Sequence, residues 1–289
     1  MVSSAVVSHL RALRRVGAGI PLPLGYWTRL RTLLARCSAA DDPLSPAESF
    51  NQSTGAQLCA PELRAALSDE VLGLWSLDSG TLDLLWNWIR VHRPRVSIEC
   101  GAGLSTVVLA TYAASQAAGD AAVFSLEQDA RVKEQISARL RKNGLAATVD
   151  VLEAPLSPQH RYELNVKDLS NRLGARRADL LLIDGPSGRP GCRAWTLPLL
   201  APLCRPGAVW FLDDAFRDGE LLVLNAWKRV RGIAVAGIHP IGKGLGVGRV
   251  TDPHLVSFDA VADAIATARS HAPWSARIDM RFSQPPEVI

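Results

Sequence analysis

The sequence lacks paired cysteines. Its five, Cys37, Cys59, Cys100, Cys192 and Cys204, lie far apart, are odd in number and form no CxxC motif. That argues against a disulfide framework and a zinc site, and it fits a reducing, cytoplasmic setting. No run of 18 apolar residues occurs, so no helix is expected to span a membrane. Aromatics make up only 6% of the chain, and no block of Lys and Arg is interleaved with them. With a formal charge of +4 spread evenly, nucleic acid is not an expected partner. Acid is absent from residues 1 to 40, which carry Arg11, Arg14, Arg15, Arg29, Arg31 and Arg36 but no clean hydrophobic core with a cleavage site. This stretch reads as an arginine-rich helical arm; a transit peptide or a membrane-surface helix is the rival reading.

What is present is an ordinary globular balance, 48% hydrophobic and 21% charged over 289 residues. Residues 41–61, "DDPLSPAESFNQSTGAQLCAP", read as a loop, which divides the chain into an arm and linker (1–60), a main body (61–250) and a C-terminal helix with a tail (251–289). Helical patterns are expected near 62–75 and 80–92, the second stopped by Pro94. Five short apolar runs follow, "RVSIEC", "AVFSLE", "TVDVLE", "DLLLID" and "AVWFLD", most of them separated by helical patterns such as "DARVKEQISARLRKNG". Continuous apolar strands alternating with helices imply a mostly parallel sheet covered on both faces. "IAVAGIHPI" and "LGVGRV", joined by a glycine-rich link, suit a closing antiparallel pair, and a last helix is expected from Asp259 to Arg269. Trp75, Trp86 and Trp88 have a spacing that suits packing of a helix on the sheet.

Each of the five runs ends at or beside an acid or glycine: Glu99, Glu127, Glu153, Asp184 and Asp213. In open α/β sheets ligands bind beyond the carboxyl ends of the strands, so this ring of carboxylates marks a site. "ECGAGLST" falls short of the dinucleotide fingerprint GxGxxG, because Thr106 stands at the third glycine. Glu99 would also repel a pyrophosphate. A cationic ligand removes that objection. Glu127, at the end of the second strand, is placed to accept from both hydroxyls of a ribose. Bulky residues at Gly101 or Gly103 are expected to abolish ligand binding while the fold survives.

Together "IECGAGLST", "FSLEQD", "LLLIDGPSG" and "GAVWFLDDA" resemble class I S-adenosylmethionine-dependent methyltransferases. Within that class they are most similar to small-molecule O-methyltransferases related to the catechol type. The resemblance covers about residues 80 to 250. It implies an α/β, Rossmann-like, seven-stranded, mostly parallel sheet with helices on both faces, preceded here by the N-terminal helical arm. It also implies that Gly101, Ala102 and Gly103 line S-adenosyl-L-methionine, with Ser105 and Thr106 opening the helix behind them. Glu99 would face the positive amino and sulfonium groups, Glu127 the ribose, Glu153 or Ala154 the adenine edge, and Asp184 the cofactor as well.

Asp184, Asp213 and Asp214 end neighbouring strands, so their carboxylates can converge on one hard cation such as Mg²⁺. By the resemblance they fall where the catechol-type enzymes hold a metal, with Asp214 replacing an asparagine. The plain alternatives are that Asp184 orients the Gly185-Pro186 turn and that Asp214 caps a helix starting near Phe216. Where those enzymes carry a lysine base this chain has Ser187; His160, His239 and Lys243 are the substitutes, with His239 entered as catalytic together with Asp184. Arg189 is placed to meet an anionic substrate group. The expected activity is O-methylation of a small-molecule or glycan hydroxyl, metal-assisted, by a protein free to form a homo-oligomer. Its rivals are a nicotinamide-dependent oxidoreductase and a non-catalytic protein of the same fold.

Overall fold

A computed structural model describes residues 53–73, 76–117, 120–239 and 241–270. The expected N-terminal arm, Trp75 and the tail beyond 270 lie outside the described residues. No helix among the described residues is long and apolar enough to cross a membrane. A short antiparallel pair, β1 (Ser53–Thr54) and β2 (Val71–Leu72), brackets α1 (Pro61–Leu67). The helix expected over 62–75 therefore ends early. Ser68 and Asp69 follow Leu67, and the chain turns where Glu70 N–H bonds back to the Leu67 carbonyl. Next comes α2 (Ser79–His92), whose first turn is capped by Asp78 accepting from the Thr81 N–H at 3.0 Å. Arg93, in the left-handed conformation, and Pro94 end it.

The main sheet has seven strands: β3 (Val96–Cys100), β4 (Ala122–Glu127), β5 (Val149–Glu153), β6 (Ala178–Ile183), β7 (Cys204–Leu212), β8 (Ile233–His239) and β9 (Leu245–Val250). Their spatial order is β5-β4-β3-β6-β7-β9-β8. Six point the same way, five of them in parallel pairs; β9 runs antiparallel to its neighbours β7 and β8, as the glycine-rich link implied. The remaining helices are α3 (Leu104–Ser115), α4 (Ala130–Lys142), α5 (Val166–Leu173), α6 (Thr196–Leu200), α7 (Asp218–Trp227) and α8 (Phe258–Ser270).

Strand alternation divides the apolar residues between two layers. Leu181, Ile183, Trp210 and Leu212 face a core shared with α5 to α8. Leu180, Leu182, Val209 and Phe211 face the other, shared with α2, α3 and α4. Trp86 and Trp88 are buried in the second layer, where Trp88 meets Phe211 edge-on at 5.3 Å, so packing is their role. In the first layer Trp227 lies edge-on to Trp210 at 5.2 Å and donates its indole N–H to the Ala194 carbonyl at 3.1 Å. Both tryptophans are fully buried.

Truncating such a residue removes its transfer energy and leaves a void. Trp227→Ala should cost about 3–5 kcal/mol of stability. Urea denaturation of the two proteins checks this, and a loss below about 1 kcal/mol would deny Trp227 its place in the core.

Candidate active site at the carboxyl edge of the sheet

The strand order reverses between β3 and β6, which opens a crevice there. The Cys100 carbonyl accepts from the Asp184 N–H at 2.9 Å and the Gly185 N–H at 2.6 Å, so the two strand-end loops are stitched together. Gly101 has φ +90°, and a Cβ there would lie 3.0 Å from the Gly185 nitrogen. Gly103 is extended, and its Cβ would meet only Ser105 Oγ at 3.9 Å. The two glycines are thus not equivalent, which corrects the expectation that either tolerates a bulky residue without harm to the fold. Gly101 makes the turn, while Gly103 keeps the cavity open.

That cavity has a volume of about 700 Å³ and is lined by Gly101 to Ser105, Glu127 to Asp129, Asp184 to Pro190, Arg193, Asp214, Arg217 and Lys243. Its size is ordinary for a cofactor site. Glu127 is only 6% exposed. Its Oε2 accepts from the Ala102 N–H at 2.9 Å and its Oε1 from the Asp129 N–H at 2.8 Å. Burial raises its pKa, and the amides of Asp129, Ala102 and Gln128 work against that rise. Each oxygen keeps a further lone pair for a ligand.

Glu99 departs from its expected place and does not line the cavity. It stands opposite Ser125 in the β3–β4 register, fully buried, and its Oε2 accepts from the hydroxyls of Ser125 (2.7 Å) and Thr106 (2.5 Å). Thr106 is drawn behind the loop too, where its hydroxyl accepts from the Gly103 N–H at 2.9 Å. Burial pushes Glu99 up to about 7, against the opposing effect of the Ser105, Ser125 and Thr106 hydroxyls. Its role here is to brace the loop. Glu153 sits at the surface beside Lys133 (3.3 Å) and Ala154 is buried; neither lines the cavity.

The three aspartates converge as expected, with ligand atoms within 4.8 Å of one another. They are already matched by protein cations. Buried Arg193 reaches Asp184 Oδ1 at 3.2 Å, Asp214 Oδ2 at 3.2 Å and Glu220 at 3.7 Å, and donates to the Asp213 carbonyl at 2.9 Å. Arg217 meets Asp214 Oδ2 at 2.8 Å. Lys243 Nζ lies 3.3 Å from Asp213 Oδ2 and 3.1 Å from Asp214 Oδ1. Burial opposes the charge on Arg193, but Asp184, Glu220 and Asp214 outweigh it and raise the pKa; Lys243 is raised in the same way by Asp213 and Asp214. Burial pushes Asp213 well up, with Asp184 and Asp214 adding to it, while Arg193 relieves part of the rise at Asp184. Mg²⁺ demands oxygen ligands at about 2.0–2.1 Å in octahedral array. As arranged, the set does not fit such an ion, because the Lys243 ammonium holds the inner oxygens.

Asp214 does not cap a helix near Phe216: α7 begins at Asp218, and Asp214 itself has φ +58°. His239 ends β8, the edge strand, and does not line the cavity, so its expected role as base is not supported; His160 lies against Gly188, also outside the lining. Ser187 is clamped by Gln128, whose Oε1 accepts from its N–H at 2.8 Å and whose Nε2 donates to its carbonyl at 3.2 Å. Arg189 lines the cavity and donates to the Pro158 carbonyl at 2.9 Å. Arg193, Arg217 and Glu220 were missed. The signal for the two arginines was the aspartates themselves, since buried carboxylates need counterions.

Residues 98–215 match the family model described as a methyltransferase domain. No curated protein matches the chain significantly. Among solved structures, cofactor-bound Rv0187 from MTB is similar at 22% identity, covering 68% of this chain and 94% of that one with a TM-score of 0.52, and it shows the shared fold. The O-methyltransferase TomG from Streptomyces achromogenes, solved with SAM, is 16% identical over 77% of this chain and 96% of its own, TM-score 0.48. An O-methyltransferase from Bacillus cereus, solved with SAH, is 16% identical over 85% and 99%, TM-score 0.46. Residues 98–215 are thus similar to a methyltransferase domain, and the sheet and helices around them share the fold of cofactor-bound Rv0187.

The burial of Glu99 has a measurable consequence. The folded chain holds its proton up to about 7, whereas an unfolded glutamate releases it near 4.5. Between those values the folded state binds more protons, so this group's contribution to stability falls as pH rises through that window. Glu99→Gln should remove this component and gain on the wild type by up to on the order of 3 kcal/mol between pH 4.5 and 7. Denaturant unfolding of both proteins across that range tests it; parallel pH curves would return Glu99 to an ordinary carboxylate.

Proposed function

We propose that this methyltransferase moves the methyl group of S-adenosylmethionine onto a hydroxyl oxygen of a small-molecule or glycan acceptor. The observation that carries the reading is Glu127, fixed by the amides of Ala102 and Asp129 at the edge of the cavity beside the glycine turn. A carboxylate held there suits the two hydroxyls of a ribose. When bound, the cofactor supplies a methyl group on a positive sulfur. The nearby cluster counts four carboxylates, Asp184, Asp213, Asp214 and Glu220, against the three cations Arg193, Arg217 and Lys243. Its formal balance of one negative charge suits a single positive sulfur better than it suits a nicotinamide dinucleotide's pyrophosphate.

A second reading adds a divalent ion such as Mg²⁺ at Asp184, Asp213 and Asp214, favoured by the convergence of their oxygens within 4.8 Å. That ion would lower the pKa of the acceptor hydroxyl, but only after Lys243 leaves. The two readings share the cofactor half of the site.

Two substitutions test that half. Gly103→Val places a side chain where the protein leaves open space. It should abolish heat release on titration with S-adenosylmethionine while leaving the unfolding curve close to the wild type. Glu127→Ala should weaken the cofactor by about 1.5–3 kcal/mol, the range for hydrogen bonds to a charged group. Undiminished affinity in Gly103→Val would place the cofactor elsewhere.

A further inference from the structure

Lys243 is built into the site by its backbone. It lies in the turn between β8 and β9, and its carbonyl accepts from the Phe216 N–H at 3.2 Å. The next carbonyl, of Gly244, accepts from the Ala215 N–H at 2.8 Å. Gly244 has φ +90° and packs so closely on Phe216 that a Cβ would come within 2.8 Å of the ring. The turn is thereby fastened to the residues directly after Asp213 and Asp214. From there the side chain, 22% exposed and lining the cavity, sets its Nζ 3.3 Å from Asp213 Oδ2 and 3.1 Å from Asp214 Oδ1. Those two buried oxygens have no other partner among the described residues. Lys243 meets both as ion pairs, and because its side chain also lines the cavity, its ammonium donors can reach a group bound there.

Charge balance gives the same answer. With Lys243 in place the cluster carries one formal negative charge, which the cofactor's sulfonium cancels. A divalent ion added beside Lys243 would leave two uncompensated positive charges next to the buried Arg193, Asp213 and Asp214, a costly arrangement.

We propose that Lys243 is the resident cation of this site: it holds the acceptor oxygen and stabilises negative charge on it, in the place a divalent ion would otherwise take, so that methyl transfer needs no metal. The inference rests on the methyl-transfer reading above. In the transfer, an acceptor oxygen lone pair forms the new O–C bond as the C–S bond breaks, and that bond's electron pair returns to sulfur. The hydroxyl proton leaves to water at the cavity mouth, and Lys243 stays an ammonium throughout.

The test uses the full chain and needs no known acceptor. Mn²⁺ is the metal probe, and 4-nitrophenol, whose phenolate is coloured, is the oxyanion probe, with S-adenosylhomocysteine present. Wild-type thermal stability should not respond to Mn²⁺ or to EDTA. Lys243→Ala, with Asp213 and Asp214 freed of their ammonium, should gain a Mn²⁺-dependent rise in Tm. A cation within about 4–6 Å should raise the phenolate-to-phenol ratio of bound 4-nitrophenol at least about tenfold. Lys243→Arg should keep that increase and Lys243→Met should lose it, a spectroscopic change that lost packing alone does not produce. Should Lys243→Met fail to fold, Lys243→Met combined with Asp213→Asn restores the charge balance and should still lack the increase. The proposal is overturned if Mn²⁺ raises the wild-type Tm, if wild type shows no phenolate increase, or if Lys243→Met keeps it. Loss of S-adenosylmethionine binding by the wild type would instead sink the methyl-transfer reading, and calorimetric titration reads that separately.

Discussion

The carbonyl of Cys100 accepts two N–H groups, from Asp184 and Gly185, at the point where strand order reverses. That joint fixes the end of β3 against the end of β6, and nearly every distance in the site follows from it. The close approach requires Gly101, whose positive φ turns the chain and whose missing side chain admits the Gly185 backbone. Once β3 has turned, the Ala102 N–H falls within 2.9 Å of Glu127, and α3 begins at the floor of the cavity. Behind the loop, Glu99 gathers the hydroxyls of Thr106 and Ser125 and ties the first turn of α3 to β4. Main-chain contacts therefore position the half of the site proposed for the cofactor.

The other half is held by side-chain charges, and the energetics differ. Removing a carboxylate from water is expensive, and its attraction to a buried partner repays that only when the geometry is good and the remaining lone pairs are satisfied. Arg193 meets this demand by contacting three carboxylates and one carbonyl from a single planar group. A lysine could not span those four partners. Lys243 does the complementary task of a compact charge, set between two oxygens by a turn whose backbone is itself bonded to the neighbouring loop.

Much of the fold was legible in the sequence because its strands are covered on both faces. "VSIEC" and "ADLLLI" read as near-continuous apolar runs for that reason, and the order of motifs gave the parallel half of the sheet. The glycine turn was legible because its geometry depends on a few adjacent residues, and Glu127 because it ends an apolar strand. Glu99 was misplaced, although the period of two contained the correction: Ser97 and Glu99 alternate with Val96, Ile98 and Cys100, which all pack in the opposite layer. His239 was favoured by its proximity to a glycine-rich link, but that link closes the edge pair, and the histidine ends on the outermost strand. For Arg193 the converging aspartates called for a counterion, but nothing said which arginine would supply it. Arg193 contacts residues 9 and 20 to 27 positions away, and no local pattern marks it.

Rigid backbone on one side and compensated charge on the other divide the labour of the crevice. The half proposed for the cofactor offers atoms whose positions are set by hydrogen bonds within the sheet. The half proposed for the acceptor offers Arg217, half exposed and tied to Asp214, and Lys243, partly exposed and lining the cavity. The Asp214 oxygen that Arg217 meets is also held by Arg193, so that carboxylate keeps a counterion when Arg217 turns toward a ligand. Arg193 cannot do so, because it is buried and its departure would strip Asp184 and Glu220 of the ion pairs it makes with them. The cluster thus has a fixed centre and a movable rim. On the proposed reading, acceptor preference would be a property of the rim, Arg189, Arg217 and the loops that carry them, while the fixed centre would set the charge that an acceptor oxygen meets.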